Sequence, residues 1–290
     1  MIRFSKYIVF YFILSGLFLV PGIFFLIQNG LLPAVDFTGG TLLQIHYQKH
    51  EDQSVVDTLL SKQQIVAASI QSTGVSDYII RLKPQTNEKL VTLEQTIVTA
   101  GPKATIVSND TIGPVLGKEL LQKTVAAAIF ATLAILAYVA WAFKNFKFGV
   151  SAILALFHDC LMVVGIFAMI GVFYHIEVDT LFVTAFLTTM SFSAHDTIVV
   201  FDRIRELLKR GERGTFEDLC DRALTETIGR SLANTLTIVF MLLALFLLGG
   251  ETVKWFIFAL LVGTISGAYS SPFVATPILI LWDRWEKRKK

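Results

Sequence analysis

Phe148–Ile170 reads FGVSAILALFHDCLMVVGIFAMI, an apolar run whose one strongly polar interruption is the pair His158–Asp159. A helix of this length rises about 35 Å at ~1.5 Å per residue, enough to cross a hydrocarbon layer of roughly 30 Å. Five further blocks are read the same way: Tyr7–Ile27, Thr124–Phe143, Val178–Val200, Ser231–Leu248 and Trp255–Leu281. The fifth of the six, Ser231–Leu248, is the shortest, and its inner edge is expected to reach back to Arg230 or beyond. Composition agrees. Hydrophobic residues make up 54% of the chain and charged residues 17%, with a mean hydropathy of +0.63, a balance that excludes an ordinary soluble domain.

Lys and Arg in the short connections set the orientation. Arg3 and Lys6 precede the first block, and Lys144 and Lys147 follow the second. Arg203, Arg205, Lys209, Arg210, Arg213 and Arg222 follow the fourth, and Arg284, Lys287, Arg288, Lys289 and Lys290 end the chain. Gly171–Glu177 has no Lys or Arg, and Gly249–Lys254 has only Lys254. Both termini are therefore expected on the cytoplasmic side, and six spans, which return the chain to the side it starts from, agree. The first block exceeds the usual signal-peptide core of about 7–15 residues, and no A-x-A-like site follows it, so retention as an anchor is expected.

The expected organisation is a first transmembrane helix over 1–27, an extracytoplasmic α+β domain over 28–123, and a five-helix membrane bundle over 124–281. A cytoplasmic loop over 202–230 interrupts the bundle, and a basic cytoplasmic tail over 282–290 closes the chain. Within 28–123 charge is mixed and the apolar period alternates between two and 3.6 residues. Strands are expected at Thr41–Tyr47, Val66–Gln71, Asp77–Leu82 and Ala104–Ser108, with helices at Ser54–Gln64 and Asn87–Thr99 and a turn at Thr73–Gly74. That order, β-α-β-β-α-β, is the ferredoxin-like split arrangement. Thr215–Asp218 has capping-box spacing, so an interfacial helix is expected to begin there. The net charge of +2 and the lack of aromatic interleaving in the basic runs point to anionic lipid rather than nucleic acid. Cys160 and Cys220 are poorly placed to pair, and no Cys-based zinc site is legible.

Ionisable residues inside apolar blocks are costly, by at least about 2.5–3.5 kcal/mol on insertion scales, and normally face partners or water. His158–Asp159 lies near the middle of the third block and His195–Asp196 in the inner part of the fourth. Counting from the cytoplasmic ends brings Asp159 and Asp196 to similar depth, an arrangement suited to reversible proton binding. Arg230, at the edge of the fifth block, is the cation placed to reset their balance. Neither block has H-E-x-x-H or another established metal spacing, so no metal is expected. The sixth block carries the small residues Gly263, Ser266, Gly267, Ser270 and Ser271, with G-x-x-x-G spacing at 263–267, which allow close helix approach within the chain or against a second protein. Pro272 and Pro277 are expected to kink that helix.

Two motifs carry a family resemblance. Val35–Asp36–Phe37–Thr38–Gly39–Gly40 follows the first block, where Gly39–Gly40 permits a sharp turn and Asp36 is read as a structural brace. Asp196–Thr197–Ile198–Val199–Val200–Phe201–Asp202–Arg203–Ile204–Arg205–Glu206 ends the fourth. The second run resembles the D-T-[IV]-V-[VI]-x-D-R-I-R-E signature of the SecF family of protein-export membrane proteins. Gly113–Pro114, His158–Asp159 and Arg230–Ser231 fit the same family, as do the six blocks with a large first loop. The chain departs from it at His195, where Asn is usual, at Ala34, and in the opening of the fifth block.

The resemblance implies a fold like half of a resistance-nodulation-division type transporter in the bacterial cytoplasmic membrane. It implies an accessory subunit, not an enzyme, that pairs with SecD beside the SecYEG channel and uses the proton motive force to complete preprotein translocation. No cofactor is implied, and whether sodium replaces protons stays open. It makes Asp196 the leading proton carrier, Arg230 its modulator, Asp159 a nearby polar partner, His195 an added titratable group, and Arg203 and Arg205 cytoplasmic anchors. Two other classes share some of these features. A transporter half would share the fold, but one small outer domain leaves little room for a substrate tunnel. An intramembrane hydrolase would need a nucleophile or metal constellation such as G-x-S-x-G, which is absent from the sequence.

Overall fold

A computed structural model describes residues 3–47, 53–63, 65, 67–72, 76–85, 87–100, 104–143 and 145–288. The expected turn at Thr73–Gly74, the ends of two elements at Gln64 and Val66, and the basic residues Lys144, Lys289 and Lys290 lie outside the described residues. The chain divides into two compact units, Met1–Leu32 with Ala127–Lys290, and Pro33–Ala126.

The first unit is helical. A 3-10 turn (Phe4–Tyr7) leads into α1 (Ile8–Asn29), and after the second unit the chain returns along α5 (Pro114–Ala142). It continues through α6 (Phe146–Tyr174), α7 (Thr180–Lys209), α8 (Phe216–Leu248), α9 (Glu251–Ser270), a π-helical turn (Ser271–Ala275) and α10 (Thr276–Arg288). Among the described residues, five helical stretches are long and apolar enough to cross a membrane: Phe4–Asn29, Pro114–Ala142, Phe146–Tyr174, Phe216–Leu248 and Thr252–Arg288. The expected fourth block falls in α7, which has 30 residues. Polar residues, among them Thr184, Thr188, Thr189, Ser191, Ser193, His195, Asp196 and Thr197, dilute its apolar run.

Local chemistry fixes the helix ends. Asn145 caps α6 by accepting from the Lys147 amide (3.2 Å), and Asp179 caps α7 by accepting from that of Phe182 (2.7 Å). Thr215 and Asp218 form the reciprocal capping box that opens α8. The sequence reading separated an interfacial helix from the fifth span, but α8 is one helix of 33 residues. Between its cap and Gly249–Gly250 there is no Pro and one Gly, Gly229, which costs about 1 kcal/mol in helix propensity that packing overrides. In the sixth block the bend is local. Pro272 brings no amide proton, the turn widens to a π-helix, and Thr276 Oγ1 donates back to the Ser271 carbonyl at 3.0 Å.

Glycines set how closely the helices approach. A Cβ on Gly22 of α1 would stand 2.9 Å from Gly165 Cα of α6, and one on Gly267 of α9 would stand 3.1 Å from Ser193 Cα of α7. A Cβ on Gly263 would overlap the Thr189 side chain. The G-x-x-x-G face of α9 therefore packs within this chain, against α7. The Thr252–Arg288 stretch is the centre of the bundle, with 61% of its most apolar part buried, against 6% for α5.

The second unit runs α2 (Val35–Thr38), β1 (Gly40–Tyr47), α3 (Gln53–Lys62), β2 (Ala67–Ser72), β3 (Asp77–Leu82), α4 (Asn87–Ala100) and β4 (Ala104–Ile112). The strands pair in the order β2-β3-β1-β4, each neighbour antiparallel. Leu43, Ile45, Ile80 and Leu82 alternate onto one face, where Leu60, Leu93 and Ile97 of the helices cover them. The run after α1 makes a single helical turn and then two residues with positive φ, Gly39 at 72° and Gly40 at 141°. A Cβ on Gly39 would stand 2.6 Å from Pro114 Cα, and one on Gly117 would stand 2.7 Å from Gly39 N. The D-F-T-G-G turn and the Gly113–Pro114 start of α5 are thus one packed corner. Gly39→Ala is expected to destabilise this unit by about 1–3 kcal/mol through left-handed strain and overlap. Faster proteolysis within 33–126, with intact bundle helices, is the measurement.

Candidate functional site

Asp159 is buried on α6 and meets donors from three helices. Its Oδ1 accepts from His158 Nδ1 (3.0 Å) and Ser266 Oγ (2.6 Å), and its Oδ2 from Ser193 Oγ (2.5 Å) and Ser270 Oγ (2.5 Å). His158, Ser193, Ser266 and Ser270 are buried too. Ser266 and Ser270 stand one turn apart on α9, and the Gly267 contact brings Ser193 of α7 within reach. The His158 ring lies against Tyr269 at 6.3 Å, and the Tyr269 hydroxyl donates to the Tyr11 carbonyl of α1 at 2.8 Å. One carboxylate thus joins α6, α7 and α9, and its neighbour leads on to α1.

Asp196 has different surroundings. It is half-buried, and Ser231 Oγ of α8 donates to its Oδ2 at 2.9 Å. It borders a cleft of about 30 Å³ lined by residues of α7, α8 and α9, among them Asn234, Thr235 and Thr264. Ser193, bonded to Asp159, precedes Asp196 by three residues, about 4.5 Å of helix rise. The two carboxylates therefore sit at neighbouring levels but face different seams, and no described hydrogen bond joins them. Ser231, not Arg230, meets Asp196, and Arg230 is exposed.

His195 is exposed on α7, in register with Thr184, Thr188 and Ser191 at helical spacing of three and four residues. Thr184, Ser191 and His195 are exposed and Thr188 is half-buried, so α7 carries a polar stripe on its open side. Asp36 lies in α2, with its carbonyl oxygen close to Gly117. Arg203 bonds Glu226 of α8 (2.6 Å) and Glu206 (2.5 Å). Arg205 bonds Asp202 (3.1 Å) and the Ala142 carbonyl at the end of α5 (3.4 Å). The Arg203 guanidinium beside Glu206 holds that carboxyl below the ordinary range. The pair is thus intact at neutral pH and is lost as pH falls through the lowered value. Among the described residues, no group of three or more His, Cys, Asp or Glu side chains could hold a metal ion.

The sequence reading took Ser266 and Ser270 only as small residues, and it did not single out Ser193 or Thr264. The i, i+4 serines beside a G-x-x-x-G pair, facing a helix with a buried acid, were the signal for the cage.

Fold and interior together define a multi-pass membrane protein that holds ionisable side chains within its helical bundle and carries a separate α+β unit. The chain belongs to the SecD/SecF family of protein-export membrane proteins, whose C-terminal family profile matches residues 92–285. It is 39% identical to the protein translocase subunit SecF of Thermobaculum terrenum, over 94% of this chain and 91% of that one. It is 34% identical to that of Anaerolinea thermophila, over 96% and 93%. The crystal structure of SecDF, a translocon-associated membrane protein from Thermus thermophilus, matches with a TM-score of 0.88 at 29% identity. That match covers 98% of this chain and 39% of the SecDF chain. SecDF in a super-membrane-facing form matches with a TM-score of 0.72 at 28% identity, over 99% and 39%. This chain thus spans about two fifths of those SecDF chains.

Truncating Asp159 separates its role from that of Asp196. Asp159→Leu leaves buried donors unmet and is expected to cost about 1–3 kcal/mol or more, read as a lower midpoint of thermal unfolding in detergent. Asp196→Asn, at a half-buried position with one hydrogen bond among the described residues, is expected to leave that midpoint nearly unchanged.

Proposed function

We propose that the chain is the SecF-type subunit of a Sec protein-export machine. It works with SecD beside the SecYEG channel and uses proton movement through the membrane interior to drive late steps of preprotein translocation. In this reading six helices span the bacterial cytoplasmic membrane, with α7 as the sixth despite its polar residues. Both termini face the cytoplasm, and the ferredoxin-like unit of residues 28–123 stands outside. The segment over 202–230, made of the end of α7, a short connection and the start of α8, faces the cytoplasm, as does the basic tail over 282–290. The bundle over 124–281 lies in the membrane.

The observation that carries the proposal is the contrast between the two acids. Asp159 has its hydrogen-bonding capacity filled by buried donors from its own helix and two neighbours, so it serves as a strut. Asp196 has one described hydrogen bond and borders an open cleft, so it is free to exchange a proton. The stripe of Thr184, Ser191 and His195 supports a partner: polar side chains facing lipid are unfavourable, and a second subunit's helices would cover them. Arg203 and Arg205 anchor the inner end of α7 by tying it to α8 and α5. Arg230, exposed one residue before Ser231, modulates charge at the rim of the seam rather than pairing directly with Asp196. The Asp36–Gly39–Gly40 corner is structural.

Asp196→Asn keeps shape and removes titration. The variant is expected to accumulate normally and copurify with the partner, yet to lose the proton-motive-force-dependent stimulation of export. Export at the wild-type rate would remove Asp196 from the mechanism.

A further inference from the structure

Thr264 of α9 is buried, and its hydroxyl has no hydrogen-bond partner among the described residues. This is unusual for a threonine within a helix, which normally donates to the carbonyl four residues earlier. Thr184, Thr188 and Thr237 of the neighbouring helices all do so, at 3.0, 2.7 and 2.8 Å. Thr264 instead lines the cleft of about 30 Å³ that Asp196 borders. A water needs about 10–15 Å³ of such space and two to four polar partners. The lining supplies both, with the Asp196 carboxylate, the unmet Thr264 hydroxyl, Thr235 and Asn234.

We propose that this cleft seats one exchangeable water between Asp196 and Thr264, and that Thr264 is a positioning residue for proton exchange at Asp196. The proposal rests on Asp196 being the proton carrier. The exchange balances simply. The water, in its protonated form, gives one proton to an Asp196 oxygen, breaking one O–H bond as another forms, and the reverse step returns it. Thr264 donates to or accepts from the water and holds its lone pair or proton toward the carboxylate. The titratable groups around the seat are few. His195 adjoins Asp196 on α7, while the α8 lining (Asn234, Thr235, Ile238) and the α9 lining (Thr264, Gly267, Ala268) contribute none. Arg230 is exposed beyond Ser231.

The test places Thr264→Val, which keeps shape without the hydroxyl, beside Thr264→Ser, which keeps the hydroxyl, and Asp196→Asn. Each is expressed as the sole copy, and export is measured with and without the proton motive force. Thr264→Val is expected to accumulate, copurify with the partner and lose about tenfold of the stimulated rate, with Thr264→Ser close to wild type. Wild-type stimulation in Thr264→Val, or an equal defect in Thr264→Ser, overturns the proposal. An inactive Asp196→Asn beside an active Thr264→Val discards the water seat alone, whereas an active Asp196→Asn discards the carrier reading and the seat with it. If Thr264→Val does not accumulate, water-edited solid-state NMR on the wild-type protein decides. Polarisation transfer from water to the Thr264 side chain is expected, and its absence overturns the proposal.

Discussion

The bundle depends on one buried carboxylate finding four donors. An acid in a low-dielectric interior is destabilising unless hydrogen bonds replace the water it gave up. Asp159 obtains them from its neighbour His158, from Ser193 on α7 and from Ser266 and Ser270 on α9. Those hydroxyls are short and reach only if the backbones come close. Gly263 and Gly267 allow that approach, since a side chain at either would meet Thr189 or Ser193. The glycine spacing and the acid are therefore one device. Close packing brings the serines in, and the acid rewards the packing.

Fixing α6, α7 and α9 in this way leaves the adjoining face of α7, toward α8, free to differ. Asp196 stands three residues beyond Ser193, about 60° around the helix, where it meets α8 rather than the cage. Its cleft and the stripe of Thr184, Thr188, Ser191 and His195 lie on the less buried side of the bundle. A rigid strut beside a loosely partnered acid suits a machine in which protonation must change interactions without dissolving the fold. α8 runs unbroken from the capping box at Thr215 to Leu248. Asp221, on its first turns, accepts from the Ser5 amide and hydroxyl at 2.8 and 2.7 Å. The seam at Ser231 is thus continuous with the contacts that hold the chain's start.

Much of this was legible in residue order. Hydropathy gave the apolar blocks, and the alternation in residues 41–112 gave strands and helices whose ends shifted by only a few residues. Asp77–Leu82 matches β3 without change, whereas β4 runs four residues past the expected Ser108. α7 was harder, because the residues that give it work to do also dilute its apolarity. Polar composition before Ser231 reads as a break, yet α8 is continuous there, because polarity changes solvent exposure and not helical geometry. Depth counting put Asp159 and Asp196 near one level, but rise along an axis says nothing of direction around it. That direction sends one acid to serines and the other to Ser231 instead of Arg230.

The central claim is that Asp196, and not the caged Asp159, is the acid that exchanges protons. Infrared difference spectra of the protein in bilayers, recorded across a pH titration, read this directly through the stretching band of a membrane-embedded protonated carboxyl. The account predicts a band that grows on acidification in the wild-type protein and is missing from Asp196→Asn. A band of undiminished size in that variant would contradict it.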